Sequence, residues 1–298
     1  MTTKPDHSQY SFAAHGRPGV DDVPESKLGF LRAYEGLRGN TSVAVDDATL
    51  KQRVALTLEL TYDELHVFKC IQSMMFLEPR ITQHSAYPAI LSGLRESSDA
   101  SGRKPRLLDV GCCYGTDVRS FLLEGVSASQ LTVTDLDPGY WRVGQKALFV
   151  DEQNVKDVAT TWGDLSLGVE SISAPPPEGL PSWKSSHKYV AASAVIHTLS
   201  KTQGTGLIRT VYDILETGGL FVGTTGASTQ EGAWHNGGRW LHDEKSLARE
   251  FEAAGFKNIV LKQRERFGED QPQTANAEEA AKPVDDRVRV FIEFSASK

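Results

Sequence analysis

The chain of 298 residues predicts an α/β fold. The expected core is a doubly wound, mostly parallel sheet with an antiparallel last strand, preceded by an N-terminal helical cap. Three observations predict it. Short apolar runs alternate with helix-like segments from residue 105 onward. Two of those runs end in an acid, Asp109 and Asp135, and a glycine-framed turn from Gly111 to Gly115 joins the first run to a helix. Strand, tight turn, helix, strand, acid is the layout of a nucleotide-type ligand site at the carboxyl edge of a parallel sheet.

Taken in order, residues 1–27 are polar and punctuated by Pro and Gly, so a flexible arm is expected. Residues 28–104 carry helical signals and no sheet pattern. Segments 47–60 and 63–76 open on acids and repeat apolar residues near a 3.6 period, which predicts two amphipathic helices. Residues 95–104 have linker composition. The core then runs over 105–298. Leu107 and Leu108 begin the first strand, 131–134 the second, and Pro138 leads a helix. Residues 188–196, KYVAASAVI, are small and apolar enough for a buried central strand that runs into His197. A helix over 206–216 is expected to end at Gly218 and Gly219, followed by a strand over 220–224. Residues 257–267 and 287–294 read as two final strands, the second alternating clearly. The intervening 268–286 are acidic and poor in apolar residues, so a flexible loop is expected.

Composition excludes several classes. A formal charge of −7, with no Lys/Arg stripe, disfavours nucleic acid and an anionic membrane surface. No apolar stretch approaches the ~20 residues that span a bilayer. The first residues, MTTKPDHSQYSF, have no apolar signal core, and three cysteines make no disulfide framework, which together suit the cytoplasm. Cys112 and Cys113 read as small loop residues; no further Cys/His cluster completes a metal site, and none is expected.

The ligand class follows from the turn. Gly111-Cys112-Cys113-Tyr114-Gly115 lacks the third glycine of a dinucleotide fingerprint, and no Walker-type lysine follows. Asp109 stands just before it. A carboxylate there disfavours pyrophosphate and suits a ligand carrying an ammonium and a sulfonium, S-adenosylmethionine. The turn resembles the glycine-loop motif of the class I, Rossmann-like methyltransferases, with landmarks in order over roughly residues 100 to 260. One departure is Cys113, where the family has its middle glycine. A narrower likeness sits on LLDVGCCYGTDVR, TDLDPGYW, the preceding FKCIQSMMFLEPRITQHSAYPAILSGL and the later RWLHDEKS. These are similar to fungal natural-product methyltransferases of meroterpenoid pathways. That resemblance implies methyl transfer to a carboxylate or hydroxyl of a secondary metabolite.

Candidate residues follow. Asp135 is placed for ribose hydroxyls, and Asp109, Gly111, Cys112, Gly115 and Leu136 line the same turn. By resemblance, Gly163, Asp164 and Leu165 form the family's third motif, whose acid receives the adenine amino group; Ser193 is added from the fourth strand. His197, just past that strand, is the candidate for base work or substrate orientation. Arg80, the choice for a carboxylate clamp, and Tyr87 precede the core, while Trp234 and Arg239 belong to an aromatic–cationic, glycine-interrupted segment with the look of a lid. The expected activity is S-adenosylmethionine-dependent O-methylation of a largely apolar small molecule. N- or C-methylation and a cofactor-binding, cyclase-type protein without methyl transfer stand as alternatives, and the oligomeric state is open.

Overall fold

A computed structural model describes residues 16–37, 45–96, 102–172, 174–234, 239–264 and 289–298. Its helices are α1 (Gly29–Leu37), α2 (Asp47–Glu64), α3 (Lys69–Gln72), α4 (Tyr87–Arg95), α5 (Thr116–Leu123), α6 (Pro138–Val143), α7 (Lys201–Ile214) and α8 (Glu244–Ala254). Its strands are β1 (Leu107–Val110), β2 (Leu131–Asp135), β3 (Ala159–Trp162), β4 (His187–Ser193), β5 (Leu215–Ser228), β6 (Gly232–Trp234), β7 (Arg239–Leu241), β8 (Lys257–Arg264) and β9 (Arg289–Ser297). Seven strands form one sheet in the order β3-β2-β1-β4-β5-β9-β8, and β6 and β7 form a separate ribbon. β9 runs antiparallel to both β5 and β8, while the β2–β3, β1–β4 and β4–β5 pairs are parallel. This is the Rossmann-like doubly wound sheet expected, with its antiparallel last strand. Among the described residues no helix is long and apolar enough to cross a membrane. The expected loop over 268–286, residues 1–15 of the arm and residues 97–101 of the 95–104 linker lie outside the described residues.

The chain divides into two compact units. The first comprises Met1–Gln83, Tyr87–Lys104 and Cys112–Trp162. Here α2 is a single helix, capped where Asp46 accepts the Thr49 amide at 2.8 Å. It absorbs the start of the second helix expected over 63–76 and stops at Leu65, which is extended. Tertiary packing decides this: a Cβ on Gly139 would meet Leu65 Cδ2 at 2.4 Å, and His66 carbonyl accepts the Tyr140 hydroxyl at 2.5 Å. The rest of 63–76 is not one helix either. α3 is a single turn, Met74 is left-handed (φ 54°), and Met75–Leu77 form a 3-10 turn. Asp137 caps α6 by accepting the Gly139 amide at 2.7 Å, with Pro138 in the first turn as the sequence predicts.

The second unit comprises His84–Ala86, Pro105–Gly111 and Gly163–Lys298. Its core packs Val190, Phe221, Phe251, Ile292 and Phe294 together, all fully buried. The Phe221–Phe251 and Phe221–Phe294 pairs meet edge to face, an arrangement worth roughly 0.5–1.5 kcal/mol each beyond area burial. β4 ends at Ser193, short of the expected 196, because Ala194 turns left-handed (φ 62°). α7 begins earlier than expected, at Lys201, where Ser200 and Gln203 form a capping box. It ends at Ile214 into an extended Leu215, so Gly218 serves β5 and not a helix cap.

Candidate functional site

In the first unit the turn is built by three bonds. Cys112 donates its amide to Thr134 carbonyl at 3.1 Å, and Gly115 donates to Cys112 carbonyl at 2.7 Å. Cys113 donates to Asp135 Oδ2 at 2.9 Å. Gly115 sits at φ 77°, and a Cβ there would meet the Trp141 ring at 2.2 Å, so only glycine fits. Cys113 takes φ 50° with a side chain, a conformation that costs a non-glycine residue roughly 1–2 kcal/mol. The loop therefore closes with cysteine in the place of the resembling family's middle glycine. Burial pushes the Cys113 thiol well up, with Cys70 and Asp135 adding to it, so it is held as a thiol and not a nucleophile. Burial likewise pushes the Asp135 carboxyl up, against the amides of Cys113, Asp137 and Leu136, which pull it down. Leu136 beside it is 62% exposed.

Arg80 belongs to the same neighbourhood. Its backbone amide donates to Asp117 Oδ1 at 2.6 Å, and its guanidinium reaches Met75 Sδ at 3.3 Å. Its charge also lowers the Cys113 thiol pKa, a smaller contribution than burial. Tyr87 is placed otherwise. It packs on Phe121 of α5 with ring centroids 5.3 Å apart, and with Phe30, Glu78 and Ser120 it lines a groove of about 320 Å³.

In the second unit Asp109 is buried on β1 opposite Ala191 of β4. Gly111 has φ 69°, and a Cβ there would meet Val195 at 2.4 Å. Asp164 caps the 3-10 turn Leu165–Leu167, accepting the Ser166 amide at 2.9 Å. Gly163 precedes it at φ 140°, and the Leu165 side chain points into the apolar core. Ser193 ends β4 opposite Thr224 of β5, which lies opposite Glu293 of β9, so the three share one row of the sheet.

His197 sits in the 3-10 turn Ile196–Thr198, half-buried, and its bonds define its chemistry. Its Nδ1 accepts the Gly226 amide at 3.0 Å, and its own backbone amide donates to Thr225 Oγ1 at 3.1 Å. A backbone N–H can only donate, so the Nδ1 lone pair is used and the neutral ring carries its proton on Nε2. β7 lies beside this turn: Trp240 donates its amide to Leu199 carbonyl at 2.9 Å, and Lys201 Nζ stands 4.6 Å from the Trp240 ring centre. Arg239 is half-buried, opposite Trp234 in the β6–β7 ribbon. His235, Gly237 and Gly238 of the expected lid lie outside the described residues.

Two clusters escaped the sequence reading. In the first unit a fully buried Arg119 pairs with Asp151 through two bonds of 2.7 and 2.8 Å. Half the positions of TDVRSFLL are polar, so little in the sequence signals that α5 buries six of its eight residues, Arg119 among them. In the second unit Glu293 is 2% exposed, accepts the Ser85 hydroxyl at 2.5 Å and pairs with Arg264. Burial pushes this carboxyl up, but Ser85, His84 and Arg264 outweigh it and hold it below the usual range. Its partner lies 208 positions away in the chain, beyond any local pattern.

No protein-family model matches the chain. The chain is similar to the methyltransferase adrK of Penicillium roqueforti, 31% identical over 93 residues, which is 31% of each protein. It is similar to the O-methyltransferase phiE of a fungal species, 34% identical over 93 residues, covering 31% of this chain and 29% of that one. The matched segments thus span about a third of the length of these relatives. The likeness to fungal methyltransferases read from the glycine turn is the one these comparisons find. Among solved structures, an S-adenosylmethionine-dependent methyltransferase of Archaeoglobus fulgidus aligns with 78% of this chain and 100% of its own. The TM-score is 0.49 and the identity 13%.

Proposed function

We propose that the protein is an S-adenosylmethionine-dependent methyltransferase acting on oxygen, with an apolar small-molecule carboxylic acid of secondary metabolism as acceptor. The observation that carries the donor reading is the turn itself. Its backbone is left-handed at Cys113 and Gly115, and Cys113 is hydrogen-bonded to an acid at the end of β2. This suits a ligand whose hydroxyls and cationic groups seek carboxylates, and the turn's side chains include no lysine or arginine for a phosphate. In this reading Asp135 receives ribose hydroxyls beside Leu136, and Asp109 favours the cationic end of the donor. Gly111, Cys112 and Gly115 supply close-lying backbone, Asp164 with Gly163 and Leu165 takes the adenine side, and Ser193 adds a hydroxyl. The fungal relatives, one of them an O-methyltransferase by name, support the same class.

When bound, the donor supplies an already activated methyl group. What remains for the chain is to place an acceptor atom in line and keep water away, and such placement is worth on the order of 7–11 kcal/mol. His197 bears on which acceptor. With Nδ1 occupied by Gly226, its Nε2–H is a donor, suited to holding an oxygen and unsuited to taking a proton from one. A carboxylate, with a pKa near ~4, needs no base at neutral pH, whereas a hydroxyl does. Arg80 in the first unit is the candidate carboxylate clamp, and Arg239 and Trp234 in the second are further acceptor-side candidates. Tyr87, on the α5 groove, would shape the acceptor route and not touch the reacting oxygen. Calorimetry tests the donor reading: S-adenosylhomocysteine should bind the purified protein while NAD does not, and the reverse result would refute it.

A further inference from the structure

We infer that Arg119 and Asp151 form a positioning clamp that sets the peptide planes of the glycine turn, and thereby donor affinity. The inference rests on the reading of that turn as the donor site. Arg119 puts four of its five N–H donors to two jobs. Nε and Nη2 bind the Asp151 carboxylate, at 2.7 and 2.8 Å. Nη1 binds the carbonyl oxygens of Tyr114 and Gly115, at 2.7 and 3.1 Å. Asp151 Oδ2 is further tied by the Tyr34 hydroxyl at 2.7 Å. The guanidinium lies over Phe149 at 4.0 Å and Trp141 at 4.8 Å from the ring centres.

An ion pair buried to this degree is a costly way to hold a core together, since apolar residues of similar volume do it as well or better. What apolar residues cannot do is grip two successive carbonyls. The Cys112–Cys113 peptide is held by Asp135 through its N–H, and the Tyr114–Gly115 and Gly115–Thr116 peptides by Arg119 through their oxygens. Three peptide planes of the turn are then set before any ligand arrives. A guanidinium is required because four bonds must be made at once from three separate nitrogens, whereas an ammonium has three N–H groups on a single atom and cannot span the carboxylate and both carbonyls. A turn held this way pays less ordering cost on binding.

The test is calorimetric titration of S-adenosylhomocysteine into wild type, Arg119→Lys and the double variant Arg119→Met/Asp151→Leu. The double variant removes the clamp while filling its space with apolar atoms, so its melting temperature should equal or exceed that of wild type. Its affinity should nevertheless fall about tenfold or more, as should that of Arg119→Lys, with kcat at saturating donor nearly unchanged. A merely structural role predicts the opposite for the double variant, namely stability kept and affinity kept. Wild-type affinity in either folded variant would overturn the clamp. If neither variant folds, Tyr34→Phe, which loosens Asp151 alone, should weaken binding by about threefold, and unchanged affinity there would overturn it too. Failure of the wild-type protein to bind S-adenosylhomocysteine at all would instead overturn the donor reading.

Discussion

Among the described residues, the two compact units bury their basic side chains in opposite ways. The first buries a charge and its counter-charge, Arg119 and Asp151, both fully out of water. The second buries imidazoles: His84 at 3%, His187 at 0% and His242 at 2% exposure. Burial pushes all three below the ordinary histidine value, His187 to about 3. The difference teaches what each unit is built to do. A paired charge directs bonds, and the first unit uses it to aim backbone at a proposed donor. A neutral ring packs and offers one donor and one acceptor, both used by His84, and the second unit uses histidines as shaped, uncharged pieces, His187 stacking on Trp183 at a centroid distance of 6.0 Å.

The comparison can be broken most forcefully at Asp135, where the first unit's directed bonds meet the proposed donor. Asp135→Ala should weaken S-adenosylhomocysteine binding by roughly 1.5–3 kcal/mol, the scale of a hydrogen bond to a charged group. Unchanged calorimetric affinity would remove Asp135 from the site.

Acid attacks the second unit's design. A histidine whose folded pKa lies below its unfolded value contributes stability that is complete above the unfolded pKa and lost as pH falls toward the folded one. For His187 the window runs from 6.5 down to about 3. Between pH 6.5 and pH 5 that single ring should cost about 2 kcal/mol, at 1.36 kcal/mol per unit. Urea midpoints across that range should fall further for wild type than for His187→Phe. Parallel curves would show that His187 is not kept neutral by burial.

The smallest effect sharpens the comparison at His197, the second unit's ring nearest the proposed chemistry. A ring that only donates through Nε2 contributes about 1 kcal/mol, so His197→Gln should lose about fivefold in kcat with the pH profile unchanged. A loss nearer 10²–10⁴-fold, recovered at high pH, is the mark of a general base and of a hydroxyl acceptor.

What the sequence made legible is what is local. The path from Leu107 to Asp135 could be read because apolar runs, a glycine turn and a terminal acid lie within thirty residues. The final strand was legible from its alternation, while its antiparallel direction came only from the family resemblance. The helix ends near Leu65 and Ser200 were missed because a tertiary contact with Gly139 decides the first, and the glycines at 204 and 206 mask the second. Arg119 was read past because a charged residue on a helix ordinarily faces water, and its partner stands 32 positions on. The direction of the His197 ring depends on Gly226, 29 positions away and on another strand, so no motif could have carried it.

The most direct measurement follows the methyl group. With isotopically labelled S-adenosylmethionine and a panel of apolar carboxylic acids and phenols, label should pass to a product from which mild alkali releases labelled methanol. S-adenosylhomocysteine should accumulate in equal amount. Label retained through alkali would place the methyl on a phenolic oxygen, nitrogen or carbon, and no transfer with any acceptor, together with no donor binding, would contradict the account outright.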